Sequence, residues 1–337
     1  MCRGSGPGGN ATTDTFDANL SYLSIARPLV SVMENVEALD DAVDTGDQHF
    51  QSNLKQVEAA LKKNGFIVMS ILLSTNKYGL PQMRKRFYIL ATPLEKLWPN
   101  KLNAKSDMFH KLCTGTFVKL EIDMLPLDLF YLDDDSALVT SELERLQRNK
   151  EKADQEDRAS FPTWPQKHQE IFTGVGLRLA RVKAPAALRD SPWYAALPDR
   201  EREIVLFAAL SPDATGPVMQ TDCSQSITRL SVNRKPDVTH TLTPGMVLWC
   251  HKRNRLITPW ERLSLQAVPY HLHTEVYQSV SPHNISRMAG NAFSGTVCFA
   301  ALLTCCAHVL PNVVCEDSPP TVSDVKQPPR WKALKRK

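Results

Sequence analysis

Apolar positions along the first third of the chain alternate between two spacings. Phe16, Leu20, Leu23 and Ile25 recur at the helical interval, so a helix is expected from Phe16 to Ala26. Arg27-Pro28 stops it, and Leu29 to Met33 is a short apolar, strand-like run. Gln48 to Asn64 has Leu54, Val57, Ala60 and Leu61 on one helical face, and Gly65 stands where a helix ends. Phe66–Leu73 and Arg86–Thr92 are β-branched and apolar, as strands are. Helix, strand, helix, strand and a further paired strand make half of an α/β sheet.

The pattern changes after residue 93. Residues 93–140 are mixed, with an acidic cluster at Asp133-Asp134-Asp135. Ser141 to Arg158 reads as a charge-dense, solvated helix. Residues 159–200 are rich in Pro and Trp and read as an irregular insertion. A short helix is expected over Glu201–Leu210, and short strands with turns over 217–258. Thr296 to Leu310 is the longest apolar stretch, too short to span a bilayer comfortably, and reads as a buried helix. The Gly-rich start at residues 1–13 has no core pattern. The tail beyond Pro319 is Pro-rich and basic, and disorder is expected there.

Composition narrows the class only slightly. With 42% hydrophobic and 23% charged residues, the chain has the makings of a packed core and is not of a disordered type. A net charge of +4 permits nucleic acid without requiring it. Eight cysteines occur with no C-x-x-C pair, so no local zinc spacing exists and no metal is expected. The scattered thiols and the absence of a recognisable secretory signal fit a soluble protein of a reducing compartment.

Chemistry concentrates in ordered segments. Met33-Glu34-Asn35-Val36 places a carboxylate at a strand end, where ligands bind in open α/β sheets. Glu34 faces either a pocket or solvent, and Asn35 is suited to fixing the loop. Gln82-Met83-Arg84-Lys85-Arg86 sets two guanidinium groups on one side of an extended segment, because side chains alternate. Such a pair suits phosphate or a polarised carbonyl, or else is two surface arginines. Gly290-Asn291-Ala292 is a tight turn opening the last apolar helix, either a ligand approach or a simple cap.

With Arg255-Leu256-Ile257-Thr258-Pro259-Trp260-Glu261 and Leu265-Gln266, these segments resemble the DNA cytosine-C5 methyltransferase family. ENV matches its motif VI, GLPQMRKRFYIL motif VIII, RLITPWERLSLQAVP motif IX and AGNAF motif X, in the family's order. The resemblance implies a partial Rossmann-like methyltransferase sheet with an irregular, mixed target-recognition region. It divides the chain into a catalytic remnant (1–98), a recognition-like region (99–250), a return to the catalytic domain (251–310) and a basic tail (311–337). It implies S-adenosylmethionine as cofactor, DNA as partner and a flipped cytosine as substrate. Cys2 would be the nucleophile and Glu34 the holder of the base, with Arg84 and Arg86 assisting. Asn35 and Gln82 would meet the substrate, and Asn291 and Ala292 the cofactor.

The chain departs from the family in three ways. No F-x-G-x-G loop precedes the ENV segment, Met1 stands before Cys2 where the family has proline, and Ala267 follows Gln266 where glycine is usual. The chain thus resembles the family's C-terminal part. A sheet built from it alone is expected to have an open edge and an open apolar face, and to call for a protein partner. The alternative is a non-catalytic relative that binds DNA or a partner. A nuclear location is expected, and RNA remains open as substrate.

Overall fold

The structure is a computed structural model that describes residues 11–41, 52–94, 103–155, 163–211, 216–272 and 274–309. Helix α1 (Ala11–Ala26) leads into β1 (Ser31–Val36), α2 (Asn53–Lys63), β2 (Phe66–Ser74), β3 (Lys85–Pro93) and α3 (Asn103–Lys119). Ser52 caps α2, accepting a hydrogen bond from Lys55 N–H, and Gly65 follows the helix at φ +78°, the left-handed conformation expected there.

The strands form an antiparallel sheet in the order β1-β3-β2. Their side chains alternate between two covered faces. Phe66, Val68, Phe87, Ile89 and Ala91 pack against Leu23, Leu54 and Leu61 of α1 and α2. Ile67, Met69, Tyr88 and Leu90 pack against Phe109, Cys113 and Phe117 of α3, and against residues of the last helix. Burial on both sides is why these strands read as nearly unbroken apolar runs. The open apolar face expected from the sequence is therefore absent. The outer edge of β1 does lack a neighbouring strand among the described residues.

Five helices follow: α4 (Ala137–Gln155), α5 (Trp164–Gly174), α6 (Ala186–Arg189), α7 (Pro192–Ala196) and α8 (Asp199–Leu210). Two of them correct the expectation of an irregular insertion over 159–200. Proline occupies the first turn of α5 and of α7, where its missing N–H costs nothing, so it starts these helices instead of breaking them. Trp193 and Tyr194 then become core residues. Helix α4 is also more than a solvated rod, since Val139 is buried and Leu143 and Leu146 pack on the same cluster.

A second antiparallel sheet has the order β5-β4-β6-β7, with β4 (Gln220–Asp222), β5 (Ser231–Asn233), β6 (Leu248–Cys250) and β7 (Arg255–Leu256). The chain closes with α9 (Pro259–Ser264), α10 (Thr274–Gln278), α11 (Pro282–Asn291) and α12 (Gly295–His308). Helix α12 lies on the first sheet, burying Val297, Ala300, Ala301 and Cys305. Of the three thiols on this helix, Cys305 is buried, Cys298 is half-buried and Cys306 is exposed. Among the described residues no single helix is long and apolar enough to cross a membrane, and no cluster of His, Cys, Asp and Glu could hold a metal ion.

Two histidines beside the small sheet carry a pH dependence. Burial pushes His251, bonded to Thr221 Oγ1 at 2.8 Å, down to about 4, and lowers His240 as well. Their folded values lie below the free value, so their stabilising contribution is complete above about pH 6.5 and is lost as pH falls towards 4. Melting temperature should fall across that window, and His251→Gln should flatten the part between about pH 6.5 and 5. An unchanged slope in the variant would assign the acid sensitivity to other groups.

Candidate functional site

Glu34 lies in the last half of β1, opposite Tyr88 in the register with β3. Arg84 and Arg86 flank the start of β3 two residues apart, so both guanidinium groups come to the same carboxylate. Arg84 Nη2 is 3.4 Å and Arg86 Nε 3.2 Å from Glu34 Oε1. The two-residue alternation in the sequence thus does bring the three side chains together. Both arginines approach the same oxygen, and no hydrogen bond to Oε2 is found among the described residues. One carboxylate between two guanidinium groups leaves the cluster positive overall. Burial, then the charge of Arg84, pulls Arg86 below the usual arginine value.

Arg84 is held more tightly than its partner. It is 4% exposed, and its Nη1 donates to Leu242 O (3.2 Å) and Gly290 O (3.3 Å) while Nη2 donates to Ala292 O (3.2 Å). Three carbonyls from two distant segments therefore fix its orientation. Arg86 is partly exposed and borders an open depression of about 470 Å³, whose walls include Val36, Met83, Lys85 and Thr241.

The other expected residues fall in different places. Gln82 is completely buried, donating to Leu265 O at 2.7 Å and Gln266 Oε1 at 3.2 Å. A side chain so enclosed braces its loop and cannot meet a substrate, which corrects the role expected for it. Asn35 is exposed and its Oδ1 accepts the N–H of Val36 at 2.8 Å, the local bond foreseen for it. Gly290 and Asn291 end α11, Ala292 is extended, and α12 begins only at Gly295 with Ser294 before it. The turn therefore closes one helix, and three residues separate it from the next. Cys2 lies outside the described residues.

Gln266 and Arg262 lie in the segment matched to motif IX but were given no role there, and Ser294 was not singled out, yet all three organise the site. Gln266 accepts from Ser294 Oγ (3.0 Å) and donates to Ala289 O (3.0 Å), tying α9 to the turn between α11 and α12. Arg262 is buried without a carboxylate in contact. It donates to Thr243 O (2.6 Å) and Met246 O (3.0 Å), and burial lowers it to about 10. Beyond that match, the signal for these residues is that polar side chains occur among apolar ones.

The residues expected to meet S-adenosylmethionine do not build a place for it. The open side of Gly290 is filled by the chain itself, since a Cβ there would lie 2.2 Å from Pro244 N. Ala292 O is already used by Arg84. Asn291, exposed, is the remaining group of the three. Five of the described thiols are also poor nucleophiles. Burial raises Cys113, Cys223, Cys250, Cys298 and Cys305, which keeps them protonated.

Among solved structures, the Dnmt2 methyltransferase of S. pombe is similar at 13% identity and a TM-score of 0.42, covering 90% of this chain and 74% of that one. A mutant of the Spodoptera frugiperda DNMT2 is similar at 16% identity and a TM-score of 0.37, covering 90% and 76%. The Entamoeba histolytica methyltransferase EhMeth gives 14% identity, a TM-score of 0.38, and coverage of 87% and 68%. No curated protein matches the chain. A model of the family described as C-5 cytosine-specific DNA methylase matches residues 10–305, a span that includes Glu34, Arg84, Arg86 and the Gln266–Asn291 turn. That match runs through nearly the whole chain, and the protein therefore belongs to the C-5 cytosine-specific DNA methylase family.

Proposed function

We propose that the chain holds an extrahelical cytosine of DNA at Glu34, the base-recognition part of cytosine-C5 methylation. The observation that carries this reading is the uneven use of the Glu34 carboxylate. Oε1 takes both arginines while Oε2 accepts no hydrogen bond among the described residues, and the side chain keeps 16% of its exposure. An oriented, half-shielded carboxylate oxygen accepts the exocyclic amine of cytosine. A proton held between Glu34 and ring nitrogen 3 would draw electron density from carbon 6 and open it to a thiolate. Arg86, at the edge of the depression, supplies donors for the carbonyl of the base or a phosphate. Cys2 is proposed as the source of the thiolate.

A second reading, binding without turnover, is favoured by the filled side of Gly290, which closes that turn to a ligand approaching its backbone. Two measurements separate the readings. A duplex carrying an unpaired cytosine should bind about 10–100-fold more tightly than one carrying an unpaired uracil. Glu34→Gln, which turns one carboxylate oxygen into an amide donor, should bring that ratio close to one. Equal affinities in the unsubstituted protein would sink the base-holding reading, and preference for RNA over DNA would move it to another nucleic acid. Transfer of labelled methyl groups from S-adenosylmethionine to the bound duplex, abolished by Cys2→Ser, supports turnover. Binding without transfer supports the second reading.

A further inference from the structure

The family's motifs account for Glu34, Arg84 and Arg86, but not for what holds them to the small sheet. Residues 239–243 run beside residues 81–84 like a short added strand. Thr239 N–H donates to Pro81 O at 2.6 Å, and Thr239 forms a parallel bridge with Gln82. Thr241 Oγ1 donates to Met83 O (3.4 Å), and Leu242 O receives Arg84 Nη1 (3.2 Å). The far end of this strip is pinned by Arg262 at Thr243 O. Its near end is pinned by one side chain of the small sheet. Gln220, on β4 and 1% exposed, accepts from Thr239 Oγ1 (2.9 Å) and His240 N (3.4 Å), and donates to Tyr131 Oη (2.9 Å).

We infer that Gln220 and Thr239 are positioning residues: their buried hydrogen bond fixes the strip, and through the strip the orientation of Arg84 against Glu34. The argument is geometric. Arg84 has no carboxylate besides Glu34 within contact, so its plane is set by carbonyls, and one of those carbonyls belongs to the strip. A buried donor–acceptor pair at the strip's start has no water to replace a lost partner. Gln220 stands in the divergent region, outside every matched motif. The small sheet, where target contacts are expected, is thereby wired to the base-holding cluster. The inference rests on the reading of that cluster as the base holder, but its first test does not.

Thr239→Val keeps the volume and the backbone bond to Pro81 O while removing the hydroxyl, and Thr239→Ser keeps the hydroxyl. In the full chain, the side-chain Nε–H signal of Arg84, buried and without an acceptor, reports how firmly the guanidinium is held. Thr239→Val should speed exchange of that proton with solvent at least about tenfold, by the loss of one buried bond. Thr239→Ser should restore it. Adding Gln220→Met to Thr239→Val should bring little further change, since both cut one link. Val139→Ala, in the distant helical core, should lower the melting temperature and leave the Arg84 signal in place. An Arg84 signal untouched by Thr239→Val, or moved as far by Val139→Ala, overturns the inference. A parallel titration with the cytosine duplex should show roughly tenfold weaker binding for Thr239→Val. Absence of any DNA binding in the unsubstituted protein would instead defeat the base-holding reading, and the exchange rates would still decide the positioning claim.

Discussion

Glu261→Gln is expected to remove about 3–5 kcal/mol of folding stability, the range for breaking one side of a buried ion pair. Arg255 and Glu261 are 1% and 0% exposed, and they meet through two parallel bonds, Nη1 to Oε2 at 2.9 Å and Nη2 to Oε1 at 2.7 Å. The same carboxylate accepts Thr258 N–H (2.7 Å) in a capping box at the start of α9, and Leu132 N–H (2.9 Å) from across the fold. Glutamine fills the same volume but supplies one acceptor oxygen and no charge, leaving a buried guanidinium largely unbalanced. Asp134 also touches Arg255 (2.7 Å), but its side chain is 62% exposed. Asp134→Asn should therefore cost under about 1 kcal/mol. Denaturant unfolding of the two variants checks the contrast, and equal losses would show that burial is not what gives the Glu261 pair its weight.

Gly290→Ala should be as damaging, for a different reason. The added methyl would sit 2.2 Å from Pro244 N and 2.3 Å from Thr243 C, inside the backbone of the strip. No rotamer relieves an overlap with main chain, so the strip or α11 must move. We expect a loss of about 3 kcal/mol or more, at the upper end of overpacking costs. The displacement would also carry away two of the carbonyls that hold Arg84, those of Leu242 and Gly290. Residual folded protein should then bind the cytosine duplex poorly. Gly115→Ala provides the comparison, since that exposed glycine in α3 has open space around it. There the exchange should stabilise the chain by about 0.5–1 kcal/mol, the ordinary helix preference. A tolerated Gly290→Ala would mean that α11 and the strip are further apart than the structure places them.

These features differ in how far the sequence betrays them. The first sheet was readable because its strands are short, nearly unbroken apolar runs and its helices keep a period near 3.6. That Arg84 and Arg86 share a side was readable from the alternation in Gln82-x-Arg84-x-Arg86, while Glu34 came to them only through the family resemblance. Prolines misled the reading of residues 159–200, because proline both ends helices and begins them, and only the packing of Trp193 and Tyr194 tells which. Gln82 misled for a related reason. A glutamine next to two arginines looks like part of their site, and nothing local announces that Leu265 and Gln266 will enclose it. Arg262 and Gln220 carried no signal, because their partners are backbone carbonyls and a threonine brought near by folding.

The bonds that close the site span an unusual length of chain. Gln82 finds its acceptor 183 residues further on, and Arg84 reaches a carbonyl 208 residues away. During synthesis the two strands carrying Glu34 and Arg84 leave the ribosome long before Leu265, Gly290 or Ala292 exist. At the tens of residues per second or fewer of translation, that interval lasts roughly ten seconds or more. Throughout it the nascent sheet holds a guanidinium and an amide destined for burial, with none of the carbonyls that will receive them. Assembly of the Glu34–Arg84–Arg86 cluster is thus tied to completion of the C-terminal helices, and a chain stalled before α11 holds the three side chains without the carbonyls of Gly290 and Ala292 that orient Arg84.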